Sequence, residues 1–526
     1  MLRLGVPSSG NGCWLFNGVA VEEFSFDCLQ TTKADRAPAR FGHFCARVLA
    51  SALPALSTLA AAAAPPTPPA PNVVAATAPL RTVATTTHSA KPASAAPGAK
   101  PLAATPPMGW NSWDAYGFTI TEADFKANVA VLANLRQFGW TYAVIDEGWY
   151  MGNPAGAKLE QRDYKLDGHG LLMPSVDRFP TAKDGTGLAP LAAWTHAQGL
   201  KFGIHIIRGI PKAAVHDNLP VAGSNFHATD AADTSDLCPW DDGNYGVKDN
   251  AAGQAYYDSM LKQYAAWGLD FIKVDCISDH PYKGAEIRQI ATAIKHSGRP
   301  IVLSLSPGPT QLSHAAEVAE YSQMWRISND IWDGWSFPPV KPGDDFPNGV
   351  VTAFDNLAKW SPHARPGNWP DADMLPWGAL KPNPGWGNAR QSRLTHDEQQ
   401  TQFVLWSIAR SPLILGANLT QLDEFSRVLI TNRALIDVNQ KSTSSHPLDK
   451  LPAGMENIRV WLASGGVVAI FNLSADPQSV HATWPQLGLP AGAHMARNLL
   501  DGKNLPSSPE IKIELPAHGS AIYRVL

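Results

Sequence analysis

The chain has 526 residues, 44% of them apolar, and its 42 Lys and Arg against 46 Asp and Glu give a net charge of -4. This length and composition suit a large globular domain with a smaller one and exclude a disordered or fibrous protein. No basic run stands out, so we expect neither a nucleic-acid partner nor an anionic membrane surface. Its 18 Trp provide flat aromatic faces, which suit the C–H faces of sugars as well as core packing.

The cysteines and histidines do not indicate a metal centre. None of the five cysteines belongs to a CxxC pair, and His205 stands alone at the end of its strand. We therefore expect no metal and no other cofactor. Only Cys238 and Cys276 lie in the part predicted to fold, and they could pair in an oxidising compartment.

The first hundred residues resemble an export signal followed by a linker. Two arginines precede an apolar, Ala-rich run over Val48–Ala64, so residues 1–64 are predicted to be an N-terminal extension with a signal peptide, and the protein to be secreted or periplasmic. A membrane anchor is the alternative, disfavoured by Pro54 and the weakly apolar alanines. Residues 65–105, rich in Ala, Pro and Thr, are predicted to be a linker.

Short apolar runs alternate with helix-like segments between residues 106 and 440. This alternation predicts parallel β/α units, and eight strands favour a closed (β/α)8 TIM barrel over an open sheet. The predicted helices include Glu122–Phe138, Ala251–Trp267, Ala285–His296 and Asp397–Ala409. The predicted strands are Met108–Ser112, Tyr142–Asp146, Phe202–Ile207, Asp270–Asp275, Pro300–Ser304, Tyr321–Arg326, Asp371–Leu375 and Pro412–Leu415.

Residues 441–526 have a different pattern, with short strand-like runs broken by Gly, Pro and Asn. This pattern predicts a small C-terminal antiparallel β-sandwich domain. Its predicted strands are Val460–Leu462, Val467–Asn472, Val480–Thr483, Ile511–Glu514 and Ala521–Val525.

Acidic residues at the carboxyl ends of the barrel strands are the first candidates for a site, because these ends meet at one mouth. After its first residue, Asp270, the fourth strand is apolar except for Lys273 and Asp275, which period-two geometry places together on the interior face. The lysine would keep the carboxylate ionised, as a nucleophile requires. A structural ion pair is the alternative interpretation.

A second carboxylate, Asp330, follows the sixth strand, four residues after Arg326. It could face Asp275 across the mouth, and glycoside hydrolysis needs two carboxylates, one to attack the sugar and one to carry the proton. Alternatively, Asp330 is the N-cap of the next helix. The second strand ends in Asp146–Glu147, and these adjacent carboxylates could accept hydrogen bonds from sugar hydroxyls, or belong to an ordinary solvated loop.

The run Pro106–Trp113, PPMGWNSW, resembles the opening motif of glycoside hydrolase family 27, the family of α-galactosidases and α-N-acetylgalactosaminidases. The similarity continues in order through residues 199–204, 267–276, 325–330 and 368–375, and covers roughly residues 104–526. Several motifs in register make the resemblance specific. It implies the same (β/α)8 barrel with a C-terminal antiparallel β domain.

The resemblance also implies roles for individual residues. Asp275 would be the nucleophile and Asp330 the acid/base, with net retention through a covalent glycosyl-enzyme. Cys276 would be bridged to an upstream cysteine, here Cys238. The residues expected to bind the substrate are Trp110, Asp146, Glu147, His205, Lys273, Cys276, Ser306 and Arg326.

Departures from the family pattern concern the sugar. Glu147 stands where α-galactosidases have an aspartate that receives the galactose 4- and 6-hydroxyls, and its extra methylene could fill the space of C6. β-L-arabinopyranose has the same ring stereochemistry without C6, and family members that prefer it resemble this chain in having glutamate there. Ser306 is typical of the acetamido-sugar enzymes, although Pro309 is bulkier than their small residue. His205 replaces the usual tyrosine.

We therefore expect an exo-acting α-galactosidase that hydrolyses terminal non-reducing α-D-galactosyl residues of oligo- and polysaccharides. β-L-arabinopyranosidase and α-N-acetylgalactosaminidase activities on the same scaffold are the alternatives. A non-catalytic carbohydrate-binding protein is a remote alternative, because a lectin has no need of a paired nucleophile and acid/base. The sequence predicts no oligomeric state.

Overall fold

The computed structural model describes residues 101–154, 162–340, 346–381 and 387–526. The predicted signal peptide and nearly all of the predicted linker lie outside these ranges. Within them, no helix combines the length and the apolar character that crossing a membrane requires.

Eight parallel strands form the central sheet, in the order β10-β9-β8-β7-β3-β2-β1-β13 when all strands are numbered along the chain. The two ends of this order meet, because the amide of Leu375, just beyond β10, donates to the carbonyl of Ile414 in β13 at 2.8 Å. The predicted (β/α)8 barrel is confirmed. Its strands are β1 Met108–Asn111, β2 Tyr142–Ile145, β3 Lys201–Ile207, β7 Phe271–Asp275, β8 Val302–Leu305, β9 Met324–Arg326, β10 Trp369–Asp371 and β13 Leu413–Leu415.

The helices begin and end at residues that satisfy free backbone groups. Thr121 and Asp124 form a capping box at the start of α2, and Gly268 ends α6 in the left-handed conformation. The helices are α1 Trp113–Tyr116, α2 Glu122–Leu135, α3 Ala189–Ala197, α4 Lys212–His216, α5 Ala228–Ala231, α6 Ala251–Trp267, α7 Gly284–Ser297, α8 Ala315–Tyr321, α9 Val350–Trp360, α10 His396–Ala409, α11 Glu424–Ile430 and α12 Arg433–Lys441.

A cluster of large side chains fills the amino-terminal part of the barrel interior. Val144 and Phe271 belong to this cluster, with Tyr142, Val302, Met324 and Trp369. Successive residues of a strand alternate between its faces, so Asp146, Lys273 and Asp275 lie on the same inner face nearer the carboxyl ends. This cluster forms the floor of the barrel interior. The polar side chains therefore lie above it, at the open carboxyl end of the barrel.

The seventh barrel strand begins two residues earlier than predicted, at Trp369, and ends at Asp371. The Asp371 carboxylate accepts a hydrogen bond from the amide of Asp373 at 2.9 Å, and Asp373 has a positive φ of 84°. Because this turn is not extended backbone, the strand cannot continue through it.

The connection between β3 and α6 carries a small antiparallel sheet that sequence analysis did not predict. Its strands β4 Ile210–Pro211, β5 Ala232–Leu237 and β6 Asn244–Val247 have the order β4-β6-β5. Elsewhere, β11 Ala379–Leu380 pairs with β12 Arg390–Gln391.

The C-terminal strands form a six-stranded antiparallel sheet, β14-β15-β16-β21-β18-β19, and a two-stranded one, β17-β20. A separate apolar core packs between them, which confirms the predicted β-sandwich. β14, β18 and β19 were not predicted, because their sequences show no clear apolar alternation. The strands are β14 Ser445–Pro447, β15 Ile458–Ala463, β16 Val467–Asn472, β17 Gln478–Thr483, β18 His494–Asn498, β19 Asn504–Ser508, β20 Glu510–Leu515 and β21 Ser520–Val525.

Candidate active site

A pocket at the carboxyl ends of the barrel strands collects most of the predicted site residues. Six carboxylates line it together with Lys273 and Arg326, so hydrogen-bond acceptors prevail in its wall. Such a wall suits a ligand rich in hydroxyl donors. The described residues that line the pocket are Trp113, Asp114, Asp146, Glu147, His205, Trp240, Lys273, Asp275, Arg326, Asp330, Ile331, Trp332, Asp373 and Met374.

Asp275, the predicted nucleophile, is held by three donors. Its Oδ1 accepts the amide of Cys276 at 2.5 Å, and its Oδ2 accepts the hydroxyl of Ser306 at 2.8 Å, with Nε2 of His205 at 3.4 Å. Burial works to raise the pKa of Asp275, but His205, Lys273 and Ser306 outweigh it and hold the pKa below its ordinary value. The carboxylate is therefore ionised and fixed in orientation, as nucleophilic attack requires.

Lys273 forms its ion pair with Asp146 rather than with Asp275, which corrects the expectation from the sequence. Its Nζ lies 3.0 Å from Oδ2 of Asp146, which also accepts a hydrogen bond of 2.7 Å from Asn111. Burial opposes ionisation of Asp146, but the charges of His205 and Lys273 outweigh it and lower the pKa. Lys273 still acts on Asp275 as a nearby charge.

Glu147 lies in a buried cluster whose other members sequence analysis missed. Arg162 Nη1 donates to Asp241 and lies 3.6 Å from Oε1 of Glu147, while the Tyr164 hydroxyl donates to Asp241 at 3.1 Å. Burial and the neighbouring charge of Asp241 raise the pKa of Glu147 well above its ordinary value. Oε1 of Glu147 has no hydrogen-bond partner among the described residues. The cluster fixes this carboxyl at the pocket wall.

Asp330, the predicted acid/base, is the most exposed of the pocket carboxylates that form ion pairs. Its side chain is 39% exposed, and Nη2 of Arg326 lies 3.2 Å from its Oδ1. The same Nη2 lies 2.8 Å from Asp373, which also accepts the amide of Ile331 at 2.7 Å. The N-cap interpretation of Asp330 is wrong, because the next described helix, α9, has Gly349 as its N-cap.

The expected sugar contact of Trp110 is wrong. In the parallel pairing of β1 with β2, Trp110 lies opposite Ala143, so both side chains point outwards from the barrel. Trp110 is fully buried, and its Nε1 donates a hydrogen bond of 2.8 Å to the carbonyl of Ala417. Trp113, three residues later in the same motif, lines the pocket instead. β1 ends at Asn111, and the turn into α1 directs Trp113 to the mouth.

Ser306 and Cys276 were expected to contact the substrate, but they lie behind the nucleophile. Both are almost fully buried, neither lines the pocket, and both donate to Asp275. The structure also contains the expected disulfide between Cys238 and Cys276, with Cα atoms 6.0 Å apart. This bond ties the small antiparallel sheet to the residue after Asp275.

Asp114 and Asp373 are pocket carboxylates that motif matching did not select. Asp114 is buried, its Oδ2 accepts no hydrogen bond within the described chain, and burial with the charge of Asp373 raises its pKa well above the ordinary value.

Across residues 101–154, 162–340, 346–381 and 387–526, no group of three His, Cys, Asp or Glu side chains is arranged to hold a metal ion.

Carboxylates gathered at the mouth of a (β/α)8 barrel, around a pocket whose inner end is closed, are the arrangement of a glycoside hydrolase. Two family models match the chain. The model described as alpha galactosidase A matches residues 239–441, and the one described as alpha galactosidase C-terminal beta sandwich domain matches residues 456–525.

Known proteins of the same family resemble the chain over most of its length. A family 27 β-L-arabinopyranosidase from Geobacillus stearothermophilus is 40% identical, with a TM-score of 0.75 over 81% of this chain and 97% of that one. A putative α-N-acetylgalactosaminidase from Bacillus halodurans is 37% identical, with a TM-score of 0.68 over 80% and 97%. Alpha-galactosidase A from Cellvibrio japonicus is 25% identical over 81% of this chain and 92% of the relative. The chain belongs to glycoside hydrolase family 27, as predicted.

Proposed function

We propose that this glycoside hydrolase is a retaining, exo-acting β-L-arabinopyranosidase, with Asp275 as nucleophile and Asp330 as acid/base. The observation that carries the choice of sugar is the glutamate at position 147. Its carboxyl lines the pocket and is fixed there by Arg162 and Asp241. A sugar that lacks C6 leaves room for the additional methylene of this side chain, whereas a hydroxymethyl group competes for it.

The pocket geometry supports exo action. Asp146 is buried at the inner end beside Lys273, whose side chain is 13% exposed, and the large side chains of the barrel floor close the pocket below them. A closed inner end admits one terminal sugar and leaves no path for a chain to run through. The released sugar is therefore the one bound deepest, and the rest of the glycan extends outwards.

The proposed reaction has two steps. A carboxylate oxygen of Asp275 attacks the anomeric carbon and forms an ester while the glycosidic C–O bond breaks, and Asp330 gives its proton to the leaving oxygen. Water then attacks the anomeric carbon, Asp330 takes a proton from it, and the ester bond breaks. Two inversions give net retention. Three donors to Asp275 support the first role, and the exposure of Asp330 at the mouth supports the second.

Sequence identity to known enzymes also supports β-L-arabinopyranose as the terminal sugar. The enzyme named β-L-arabinopyranosidase is 40% identical to this chain, and a variant of it in complex with arabinose is 39% identical. Relatives named alpha-galactosidase, from Cellvibrio japonicus and Arabidopsis thaliana, are 25% to 27% identical. α-Galactosidase activity is the second candidate, because these relatives match over 80% or more of the chain.

The test is a comparison of two chromogenic substrates on the wild-type enzyme. We expect kcat/KM for 4-nitrophenyl β-L-arabinopyranoside to exceed that for 4-nitrophenyl α-D-galactopyranoside. A higher kcat/KM for the galactoside would contradict the proposed sugar and favour α-galactosidase activity instead. NMR of the first-formed product tests the mechanism separately, because release of the α-anomer of arabinose would contradict retention.

We also propose that the protein is exported. The disulfide between Cys238 and Cys276 supports this, since such bonds persist in oxidising compartments. Fractionation of the native host tests the proposal, and recovery of the enzyme only from the cytoplasm would contradict it.

A further inference from the structure

Trp240 is a large aromatic side chain at the mouth of the active-site pocket. It is 39% exposed, while Trp332, which lines the same pocket, is 2% exposed. Isolated exposed apolar side chains are common on protein surfaces and need no explanation. Trp240 differs from these because it lies in a substrate pocket, next to its opening.

The backbone around Trp240 is fixed on both sides. Two residues before it, Cys238 is bonded to Cys276, which follows the proposed nucleophile directly. One residue after it, Asp241 is 2% exposed and accepts hydrogen bonds from Arg162 and Tyr164. An aromatic ring carried on a segment held in this way loses little conformational entropy when a ligand packs on it.

The proposed chemistry determines what lies beside Trp240. The released sugar occupies the closed inner end, so the group attached through the scissile bond extends towards the mouth. Asp330, which gives its proton to the leaving oxygen, is there too, with 39% of its side chain exposed. The leaving group therefore extends towards the same open end of the pocket at which Trp240 is exposed.

We propose that Trp240 forms the +1 subsite, an aromatic platform on which the ring of the leaving sugar or aryl group packs. The flat indole face suits the C–H face of a pyranose and the face of an aryl ring alike. This inference rests on the proposed position of the scissile bond, and it does not depend on which terminal sugar the enzyme prefers.

The experiment compares leaving groups in Trp240→Ala. The substrates share the terminal sugar that the wild type hydrolyses fastest, and carry fluoride, 4-nitrophenol or a second pyranose as leaving group. We expect kcat/KM to fall about 3- to 10-fold for the 4-nitrophenyl glycoside and the disaccharide. The value for the fluoride, which has no ring to pack, should stay within about twofold of the wild type.

Two further variants separate the platform from a structural effect. Trp240→Phe keeps a flat ring and should retain most of the wild-type preference for ring leaving groups. Leu237→Ala removes a side chain of the same 39% exposure in the same connection and should leave all three substrates unaffected. Equal losses with the fluoride and the ring leaving groups would overturn the proposal, as would no loss at all.

This test is independent of the choice of sugar under the proposed function. A wrong assignment of arabinose changes which substrate series is used. A wrong assignment of Trp240 changes the ratio between leaving groups within that series.

Discussion

The hydroxyl of Ser306 donates a hydrogen bond of 2.8 Å to Oδ2 of Asp275. Ser306→Ala removes a donor that favours the ionised carboxylate, so the pKa of Asp275 should rise towards its ordinary value. We expect the acid limb of kcat/KM to move to higher pH.

The measurement is the pH profile of kcat/KM between pH 3 and pH 8. Ser304→Ala is the matched control, since Ser304 lies two residues earlier in β8 and is equally buried. An acid limb that stays in place in Ser306→Ala would contradict a role of this hydroxyl in keeping Asp275 ionised.

Asp330→Asn removes the proposed proton donor. Hydrolysis of alkyl glycosides, which need protonation of the leaving oxygen, should slow by about 10²–10⁴-fold. Dinitrophenolate leaves without being protonated, so formation of the glycosyl-enzyme from dinitrophenyl glycosides should be slowed far less. In Asp275→Ala, the loss should be large for both substrates, because the nucleophile serves both. Equal losses for both leaving groups in Asp330→Asn would remove the assignment of Asp330.

Glu147→Asp shortens the carboxyl at the pocket wall by one methylene. The change should raise the rate ratio of galactoside to arabinopyranoside about 10- to 100-fold, because a methylene in a pocket is worth about 1–3 kcal/mol. The ratio is measured with the two 4-nitrophenyl glycosides, and Glu424→Asp, on the exposed surface of α11, is the control. An unchanged ratio would show that the length of this side chain does not select the sugar.

Asp373 should make the stability of the fold depend on pH. Burial raises its pKa to about 7 against the opposing charge of Arg326, whereas an aspartate in the unfolded chain titrates near 4. Between about pH 4 and pH 7 the folded protein therefore binds a proton that the unfolded chain has lost. The free energy of unfolding should fall as pH rises through this range, and the contribution is fully lost above the folded pKa.

Asp373→Asn removes this dependence, and asparagine tolerates the positive φ of 84° at this position. Relative to the wild type, the variant should gain about 2.5 kcal/mol in free energy of unfolding between pH 5 and pH 8. Urea unfolding at both pH values measures it, with the exposed Asp355→Asn on α9 as control. A difference between variant and wild type that is the same at both pH values would contradict the titration of Asp373 in this range.

Local periodicity in the sequence was sufficient for the barrel and for the inward direction of Lys273 and Asp275. It could not distinguish Trp110 from Trp113, because the alternation ends with β1 at Asn111 and a turn sets the direction of the later side chain. Ion-pair partners were less predictable still. Lys273 is nearer to Asp275 along the chain, yet it pairs with Asp146, which follows the end of β2.

The cluster around Glu147 shows the same limit. Arg162 and Asp241 come from irregular connections, where no period indicates which side chains meet. For Asp241, the sequence offers one indication that it lies near the site, namely its position three residues after Cys238. The family resemblance predicted the proposed nucleophile and acid/base. It also selected the neighbours that hold them, but as substrate contacts: His205, Cys276 and Ser306 at Asp275, and Arg326 at Asp330.

Closure of the barrel joins its first strand to its last. Met108 in β1 pairs with Leu413 in β13, and Nε1 of Trp110 bonds to the carbonyl of Ala417 across 307 positions of the chain. Contacts between such distant positions slow folding, and synthesis delivers the last strand last. We expect a nascent chain that has not reached Leu413 to leave β1 without its partner β13, and an unpaired strand edge favours association with other chains.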